Sequence, residues 1–351
     1  MGLLKLSIDK MSYGPGETLV LTFALQNGSV KPKYLAGQFI TLIFRIQERE
    51  VRRSYSLCSS PDLDEPLQIA IKRVENGEIS RLLHHRTAVG DVIEALEPNG
   101  VFTYLPNPLQ KRTIFLFAAG VGITPVFSII KTALVTESYS KLYLIYSSRS
   151  AEETLFYQEL DSLESEYPER LKIIYVSSHS KNLLYARLNV FLIEKLVKEY
   201  MEFNPHDAVF YTCGPIDYMV TCRIKILEMG FLISQVKRET FVLPEDEADD
   251  DDTSEKKSGD KTTYTVNLDY LGRRHQISVP YNRTILQEAL LNGIEIPYSC
   301  RAGICSTCTA TCTKGNVRMD YNEVLMDDEI AAGRVLVCTG HPTENDTTII
   351  W

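Results

Sequence analysis

Five of the eight cysteines in this 351-residue chain lie within its last 52 residues. Three of them, Cys300, Cys305 and Cys308, follow a C-x4-C-x2-C spacing, and Cys338 comes 30 positions later. This spacing is typical of the thiolates that hold a [2Fe–2S] cluster. Small residues in the loop, such as Gly303, would let backbone N–H groups approach the cluster sulfurs. The pattern predicts a metal centre that transfers single electrons.

A structural zinc site is the alternative interpretation of these cysteines. Zinc sites usually combine two paired Cys or His knuckles, whereas only one C-x2-C pair is present and no histidine lies between Cys300 and Cys338. Cys312 offers a fifth thiol, and we expect it to lie in a strand leaving the loop. With no secretory signal visible, metal binding is favoured over disulfides.

Two segments stand out in the first third of the chain. The first, residues 53–56, lies at the edge of a predicted strand, and the second, residues 71–80, leads into a predicted helix that starts at Gly77. A glycine at the start of a helix lets an anion approach bare N–H groups, and the helix dipole favours the negative charge. By itself, the first segment could equally be an ordinary edge strand. The residues concerned are Arg53, Ser54, Tyr55, Ser56, Ile71, Lys72, Gly77, Ile79 and Ser80.

Two strand-to-helix turns stand out in the middle of the chain, and the first of them could bind a diphosphate. Paired glycines permit a sharp turn and close approach of a diphosphate, and proline is tolerated in the first turn of a helix. The alternatives are a packing turn of any α/β protein and, for Cys213, a buried core position. The residues are Gly120, Gly122, Thr124 and Pro125 in the first turn, and Cys213, Gly214 and Pro215 in the second.

The end of a predicted strand near residue 148 bears on the choice of dinucleotide. An acidic residue at such a position binds the ribose 2′-hydroxyl of NADH, whereas an arginine accommodates the 2′-phosphate of NADPH. Ser148 and Arg149 stand here without an acid. The sequence therefore favours NADPH over NADH.

Three regions must position these residues. Short alternating runs punctuated by Gly and Pro over residues 1–107 predict an antiparallel β-barrel. Alternating strand-like and helix-like segments over residues 108–243 predict an α/β domain with a parallel sheet. Residues 244–261 are acidic and nearly free of apolar residues, so we expect a flexible linker. Residues 262–351 predict an α+β domain with a leading hairpin and a helix over about 284–292.

Charge and hydropathy exclude several classes of partner. The net charge of −9 is concentrated in residues 245–260, which hold nine acids and two lysines. No basic stripe supports nucleic-acid binding. The longest apolar run, residues 113–130, is interrupted by glycines and a proline and is a poor membrane span. We expect a cytoplasmic protein that binds neither nucleic acid nor membrane.

The first two regions resemble the ferredoxin–NADP reductase superfamily, and the third resembles plant-type ferredoxins over its whole length. The domain order is similar to that of the reductases that serve phenylacetyl-CoA epoxidase and kindred multicomponent oxygenases, a group linked to aromatic catabolism. This resemblance implies a flavin domain at 1–107, a nicotinamide domain at 108–243 and a β-grasp ferredoxin domain at 262–351. It also implies FAD, with FMN as the alternative, a [2Fe–2S] cluster, and NADPH or NADH as electron donor.

The resemblance further implies roles for individual residues. Arg53 would neutralise the flavin pyrophosphate, Tyr55 would stack beside the isoalloxazine ring, and Ser56 would hydrogen-bond near its N5. The turn containing Gly77, Ile79 and Ser80 would hold the pyrophosphate.

By the same resemblance, Cys213 would lie near the hydride-transfer centre, and Glu239 and Phe241 would lie close to the flavin. Ser56, Cys213 and Glu239 are therefore the predicted catalytic residues. The cluster ligands would be Cys300, Cys305, Cys308 and Cys338.

The implied activity is electron transfer from NAD(P)H through FAD and the cluster to an oxygenase component. Three alternatives stay open at this point. One is a stand-alone NAD(P)H:ferredoxin-type oxidoreductase that serves another electron-acceptor protein. Another is the reductase of a different ring-hydroxylating oxygenase. The third, from a different class, is a non-enzymatic redox-sensing module.

Overall fold

The computed structural model describes residues 3–25, 31–47, 49–241 and 262–351. These residues form two compact units, of which one comprises 3–98 and 102–241 and the other includes 262–351. The linker predicted at 244–261 lies outside the described residues. Within the described ranges, no helix is both long enough and apolar enough to cross a membrane.

The first unit begins with a six-stranded antiparallel sheet of order β4-β3-β6-β1-β2-β5. An isolated antiparallel bridge between Leu57 and Ile69 joins the end of β4 to β5, so the two edge strands meet and the sheet closes as the predicted barrel. The elements are β1 (Leu3–Gly14), β2 (Thr18–Leu25), β3 (Phe39–Ile46), β4 (Arg49–Ser56), β5 (Leu67–Lys72), α1 (Glu78–Arg86) and β6 (Val92–Leu96).

A five-stranded parallel sheet of order β11-β10-β7-β8-β9 follows. The order reverses between β7 and β10, and a crevice at the carboxyl ends of such strands is the usual place for a nucleotide. The elements are β7 (Thr113–Ala119), α2 (Ile123–Thr136), β8 (Lys141–Ser148), α3 (Tyr157–Glu166), β9 (Leu171–Ser177), α4 (Val190–Tyr200), β10 (Val209–Cys213), α5 (Ile216–Glu228) and β11 (Val236–Glu239). Short 3-10 turns span Gly120–Gly122, Leu183–Tyr185, Pro205–Asp207 and Ile233–Gln235.

The barrel and the parallel sheet share one apolar core. Val20, Cys58 and Ala70 of the barrel pack in the same cluster as the buried face of α2 and β7. Gly37 shows how closely the two parts approach, because a Cβ there would lie 3.3 Å from the Ile129 Cδ1 on α2. The division placed between residues 107 and 108 stays a prediction, since both parts belong to one compact unit.

The second unit is the predicted α+β domain. Its main sheet has the order β13-β12-β18-β14-β16, and β15 pairs with β17. The predicted hairpin is present as β12 and β13, and the predicted helix as α6, whose Thr284 hydroxyl accepts from the Gln287 N–H at 3.2 Å. The elements are β12 (Tyr264–Tyr270), β13 (Arg273–Val279), α6 (Ile285–Leu291), β14 (Thr309–Lys314), β15 (Val317–Met319), α7 (Asp327–Ala331), β16 (Arg334–Leu336), β17 (Gly340–Pro342) and β18 (Thr347–Ile350).

Candidate functional site

The strand β4 and the start of α1 lie side by side. Arg49 donates to both carboxylate oxygens of Glu78, at 2.7 and 2.9 Å, and so joins the strand to the first turn of the helix. Arg53 lies half-buried on the same strand, with one guanidinium nitrogen 2.9 Å from the Arg52 carbonyl oxygen. The fold therefore brings Arg53 and the Gly77 turn, predicted to share one cofactor, to the same part of the barrel.

Ser54 and Tyr55 follow Arg53 on β4. The Ser54 hydroxyl lies 2.9 Å from the Thr41 hydroxyl on the neighbouring strand. The Tyr55 ring packs against the barrel core, and this burial raises the pKa of its phenol well above the ordinary value. Tyr55 therefore offers an uncharged aromatic ring at neutral pH.

The turn before α1 has room for backbone only. A Cβ on Gly77 would lie 2.5 Å from the Ser80 hydroxyl oxygen. That hydroxyl accepts from the Val74 N–H at 3.1 Å and donates to the Gly77 carbonyl at 3.2 Å, so Ser80 shapes the turn. No side chain caps the helix at Gly77, and a helix start of this kind suits an anion such as the FAD pyrophosphate.

Ile71, Ile79 and Lys72 differ in what they can offer a ligand. The side chains of Ile71 and Ile79 are buried in the barrel core, so only their backbone groups could bind a ligand. Lys72 is exposed at the end of β5.

The three predicted catalytic residues meet where the barrel contacts the parallel sheet. Ser56, at the end of β4, donates to a carboxylate oxygen of Glu239 at 3.3 Å. Glu239 ends β11 directly beside Cys213, which ends β10. Phe241 follows as a partly exposed side chain. Residues from three strands of two sheets therefore form one site.

Burial sets the protonation of this site. It raises the pKa of Glu239 to about 8, although the hydrogen bond from Ser56 opposes the shift. Burial and the neighbouring Glu239 also raise the pKa of the Cys213 thiol well above its ordinary value. At neutral pH, Glu239 therefore holds a proton and Cys213 is an uncharged thiol.

The two predicted nucleotide turns pack backbone against backbone. A Cβ on Gly122 would lie 2.4 Å from the Cys213 carbonyl oxygen, and one on Gly214 would lie 2.9 Å from the Ala119 Cβ. Thr124 donates to the Val121 carbonyl at 3.0 Å and closes the first turn. Both turns open at the switch point between β7 and β10, where Pro125 and Pro215 lie at the starts of α2 and α5.

Arg149 reaches solvent from the loop after β8. The Arg149 side chain is 73% exposed, and its guanidinium lies 3.5 Å from the Glu153 carboxylate. The backbone carbonyl of Arg149 accepts a hydrogen bond from the Ser177 hydroxyl at 2.8 Å, which ties this loop to the end of β9. Ser148 turns towards its own loop, with its hydroxyl 2.8 Å from that of Thr154.

The cysteine loop has the backbone conformation that a tight ligand loop requires. Arg301, Gly303 and Ser306 have φ angles of +58°, +75° and +56°. At Gly303 a Cβ would also lie 2.6 Å from the Tyr321 carbonyl oxygen, so only glycine fits. The Arg301 guanidinium stacks over the Tyr298 ring at 4.7 Å.

The four predicted cluster ligands are neighbours. The side chain of Cys300 contacts those of Cys305 and Cys338, and Cys338 also contacts Cys308. Across the described ranges, no three His, Cys, Asp or Glu side chains gather as ligands of a single metal ion would.

Backbone N–H groups point at the thiol sulfurs. The Ala302 N–H lies 3.3 Å from the Cys300 sulfur, and the Cys300 N–H lies 3.4 Å from the Cys305 sulfur. Paired thiols with such donors fit a [2Fe–2S] cluster, whose sulfurs accept hydrogen bonds. Cys312 lies in β14, where its thiol faces the carbonyls of Lys314 and Gly315.

Sequence reasoning missed two residues on the helices that follow the predicted nucleotide turns. Tyr218, on α5, donates its phenol to the Ala118 carbonyl at 3.1 Å. Lys131, on α2, pairs with Glu65 at 2.6 Å. The visible signal for Lys131 is a charge within the otherwise apolar run ITPVFSIIKTALV.

Three family models match consecutive parts of the chain. They are the oxidoreductase FAD-binding domain at residues 8–104, the oxidoreductase NAD-binding domain at 116–223 and the 2Fe-2S iron-sulfur cluster binding domain at 268–343. The chain is 31% identical over 353 residues to one of the subunits of 1,2-phenylacetyl-CoA epoxidase from Escherichia coli, covering 98% of this chain and 96% of that protein. The chain belongs to the ferredoxin-reductase family. This reductase is an NAD(P)H-dependent oxidoreductase that uses FAD and a [2Fe–2S] cluster.

Other relatives of the reductase carry similar descriptions. The ferredoxin reductase component of 3-ketosteroid-9-alpha-monooxygenase from Rhodococcus rhodochrous is 34% identical over 321 residues, covering 90% of this chain and 87% of that protein. Among solved structures, phthalate dioxygenase reductase has a TM-score of 0.61 at 25% identity and covers 100% of this chain and 98% of its own. A type IV self-sufficient cytochrome P450 monooxygenase has a TM-score of 0.74 at 20% identity, covering 99% of this chain and 41% of its own. That last likeness shows the fold alone.

Proposed function

We propose that this reductase passes electrons from NADPH to the oxygenase component of a multicomponent monooxygenase of the phenylacetyl-CoA epoxidase type. One observation carries the choice of partner: the end-to-end match to a 1,2-phenylacetyl-CoA epoxidase subunit, which spans 98% of this chain and 96% of that protein. The second candidate is a 3-ketosteroid monooxygenase, supported by the higher identity of 34% to its reductase component over a shorter span.

In this proposal the barrel holds the flavin and the parallel sheet holds the dinucleotide. Arg53 and the uncapped start of α1 bind the pyrophosphate, because both offer positive charge to an anion. The turns at Gly122 and Gly214 let the dinucleotide approach the switch point between β7 and β10. Bound FAD supplies the chemistry of accepting an electron pair and releasing electrons singly.

The residues at the junction of barrel and sheet orient the reacting groups. Ser56 and Glu239 form a hydroxyl–carboxyl pair, and the raised pKa of Glu239, about 8, lets the carboxyl hold a proton there at neutral pH. Cys213, as an uncharged thiol, adds bulk and low polarity beside this pair.

Anaerobic mixing with NADPH tests the proposal. We expect the flavin absorbance to bleach and the cluster then to give the paramagnetic signal of a reduced [2Fe–2S] centre. Adding the oxygenase component of phenylacetyl-CoA epoxidase should reoxidise both centres rapidly, and the oxygenase component of 3-ketosteroid monooxygenase is the matched comparison.

The outcomes separate the remaining alternatives. Rapid reoxidation only by the steroid oxygenase would favour the second candidate. Reoxidation only by a free ferredoxin would indicate a stand-alone oxidoreductase. Failure to reduce any dye at steady state would favour the redox-sensing module and overturn the proposal.

A further inference from the structure

The helix α2 carries polar side chains in an otherwise buried apolar sequence. Ser128, Lys131 and Thr132 are all buried. Their spacing of three and four residues places them on one face of the helix. The helix begins at the nucleotide turn, so this face lies one to two turns beyond Pro125.

All three side chains bind the same loop of the barrel, residues 57–66, which follows β4. Ser128 donates to the Ser59 carbonyl at 2.6 Å. The Thr132 hydroxyl lies 2.7 Å from the Ser60 hydroxyl. The Lys131 ammonium lies 2.6 Å from a Glu65 carboxylate oxygen.

The same Glu65 carboxylate oxygen also accepts a hydrogen bond from within the loop. The Ser60 N–H donates to the same Glu65 oxygen that binds Lys131, so the ion pair holds the loop in shape and joins it to the helix. The backbone of Glu65 is also held, because Lys31 donates to its carbonyl at 2.9 Å. We call Ser60, Glu65, Lys131 and Thr132 the interdomain junction.

The barrel and the parallel sheet do not need the charges of Lys131 and Glu65 to stay attached to each other. A continuous apolar core already joins the barrel to the parallel sheet, and a buried ion pair adds little net stability over apolar side chains of similar size. A directional ion pair does select one arrangement among those that an apolar interface allows. The Lys131 side chain is 9% exposed, so solvent competes weakly for it.

The junction lies between the two elements to which cofactor binding is assigned. Ser59 comes three residues after Ser56 at the end of β4, and Ser128 comes three residues after Pro125. We propose that the interdomain junction positions the nicotinamide-binding turn relative to the flavin-binding strand, with Lys131 and Glu65 as positioning residues. This inference rests on the proposed function, because it assumes that hydride passes between those two elements.

Three variants of the holoprotein test the junction: Lys131→Met, Glu65→Gln and the double variant. Misplacing reacting groups by about 1 Å can cost up to about a hundredfold in rate, so we expect Lys131→Met to slow flavin reduction by NADPH roughly tenfold in stopped flow. The long-wavelength absorbance from stacking of nicotinamide on flavin should weaken. The NADPH dissociation constant and FAD content should stay close to those of the wild type, although the thermal midpoint falls because Glu65 keeps a partly buried charge without its partner.

The double variant separates positioning from general damage. Because the two side chains act as one unit, the double variant should reduce its flavin no more slowly than the slower single variant. Lys198→Met is the matched control, since Lys198 forms an exposed ion pair with Glu194 at 2.6 Å. This control should reduce its flavin at the wild-type rate.

Several outcomes would overturn the inference. These are an unchanged rate and unchanged stacking absorbance in Lys131→Met, additive losses in the double variant, or a rate loss matched by loss of FAD or by weaker NADPH binding. If Lys131→Met does not fold, Glu65→Gln, which preserves side-chain size, decides by the same readouts. A wild-type protein that NADPH cannot reduce would instead refute the proposed function.

Discussion

Glu239 is a carboxyl group whose chemistry is set by its surroundings. It ends β11 of the parallel sheet and accepts a hydrogen bond from Ser56 of the barrel. Burial raises its pKa from an ordinary 4.5 to about 8. The folded protein therefore keeps a proton that the unfolded chain releases between those pH values.

Replacing Glu239 by Gln should stabilise the protein at high pH relative to wild type. With the raised pKa, the contribution of this carboxyl to the free energy of unfolding is complete below pH 4.5 and is lost as the pH rises through 8. Glutamine stays neutral throughout. We therefore compare the thermal midpoints of Glu239→Gln and wild type at two pH values. The midpoint of the variant minus that of wild type should be roughly 3 °C larger at pH 9 than at pH 6.

Glu194→Gln provides the control for that pH dependence. Lys198 and Lys225 lower the pKa of Glu194 to about 2, so its stabilising effect is already complete at pH 6 and is the same at pH 9. Its midpoint difference from wild type should not change with pH over this range. An equally constant difference for Glu239→Gln would contradict the raised pKa.

Arg149 is the residue on which dinucleotide choice should depend. Its guanidinium is exposed and free to turn towards a 2′-phosphate. A hydrogen bond to a charged group contributes about 1.5–3 kcal/mol, so Arg149→Ala should raise the KM for NADPH at least about tenfold. The KM for NADH should change little.

Lys172→Ala is the matched control for Arg149→Ala. Lys172 is a surface cation paired with Glu164 at 3.1 Å on the same sheet. Its replacement should leave both KM values near those of wild type. Equal increases for NADPH and NADH in Arg149→Ala would remove the phosphate-binding role.

At the scale of elements, the two strand-to-helix turns predicted to bind the dinucleotide pack closely against each other. Each turn needs a glycine because the other turn fills the space where a side chain would stand. Gly122 has an ordinary φ angle of −61°, so its requirement is steric rather than conformational. The contact ties the starts of α2 and α5 to each other.

Gly122→Ala should separate these turns. The added methyl would lie 2.4 Å from the Cys213 carbonyl oxygen, and overpacking of this kind costs roughly 1–3 kcal/mol. We expect lower thermal stability and weaker NADPH binding by titration. Gly14→Ala is the control, because its nearest neighbour is the mobile end of the Leu155 side chain at 3.0 Å. Similar effects of both substitutions would contradict a specific contact between the turns.

At the scale of the whole molecule, the chain divides into two compact units with separate cores. The elements predicted to bind flavin and nicotinamide share the first unit, and the four predicted cluster cysteines lie in the second. Loss of the cluster should therefore leave hydride transfer to the flavin intact.

Cys305→Ser tests this independence. It removes a buried thiol that contacts Cys300, so the cluster absorbance and the paramagnetic signal should disappear. The rate at which NADPH reduces a dye that takes electrons from the flavin should stay within about twofold of the wild-type rate. Cys312→Ser is the control, because this thiol faces backbone carbonyls. It should keep both the cluster signals and the rate of dye reduction. If Cys305→Ser lost dye reduction to the same extent as the cluster signals, the two units would not work independently.

Local features of the fold were predictable because they are encoded in short stretches. The spacing of the four cysteines, the Thr284 cap with Gly293 at the end of α6 and the two glycine-rich turns each depend on residues close in sequence. Periodicity likewise predicted the alternation of strands and helices. The roles of Ser56, Glu239 and Phe241 came from the family resemblance rather than from any local pattern.

The sequence by itself determined the three motif-bearing regions, their order and the chemistry of each motif, because residue type and spacing fix local geometry. Only the tertiary structure decided which distant residues share a site. Ser56 and Glu239 are 183 positions apart, and Lys131 and Glu65 are 66 apart. Such contacts depend on how the barrel packs against the sheet, and that packing is a property of whole surfaces rather than of any short segment.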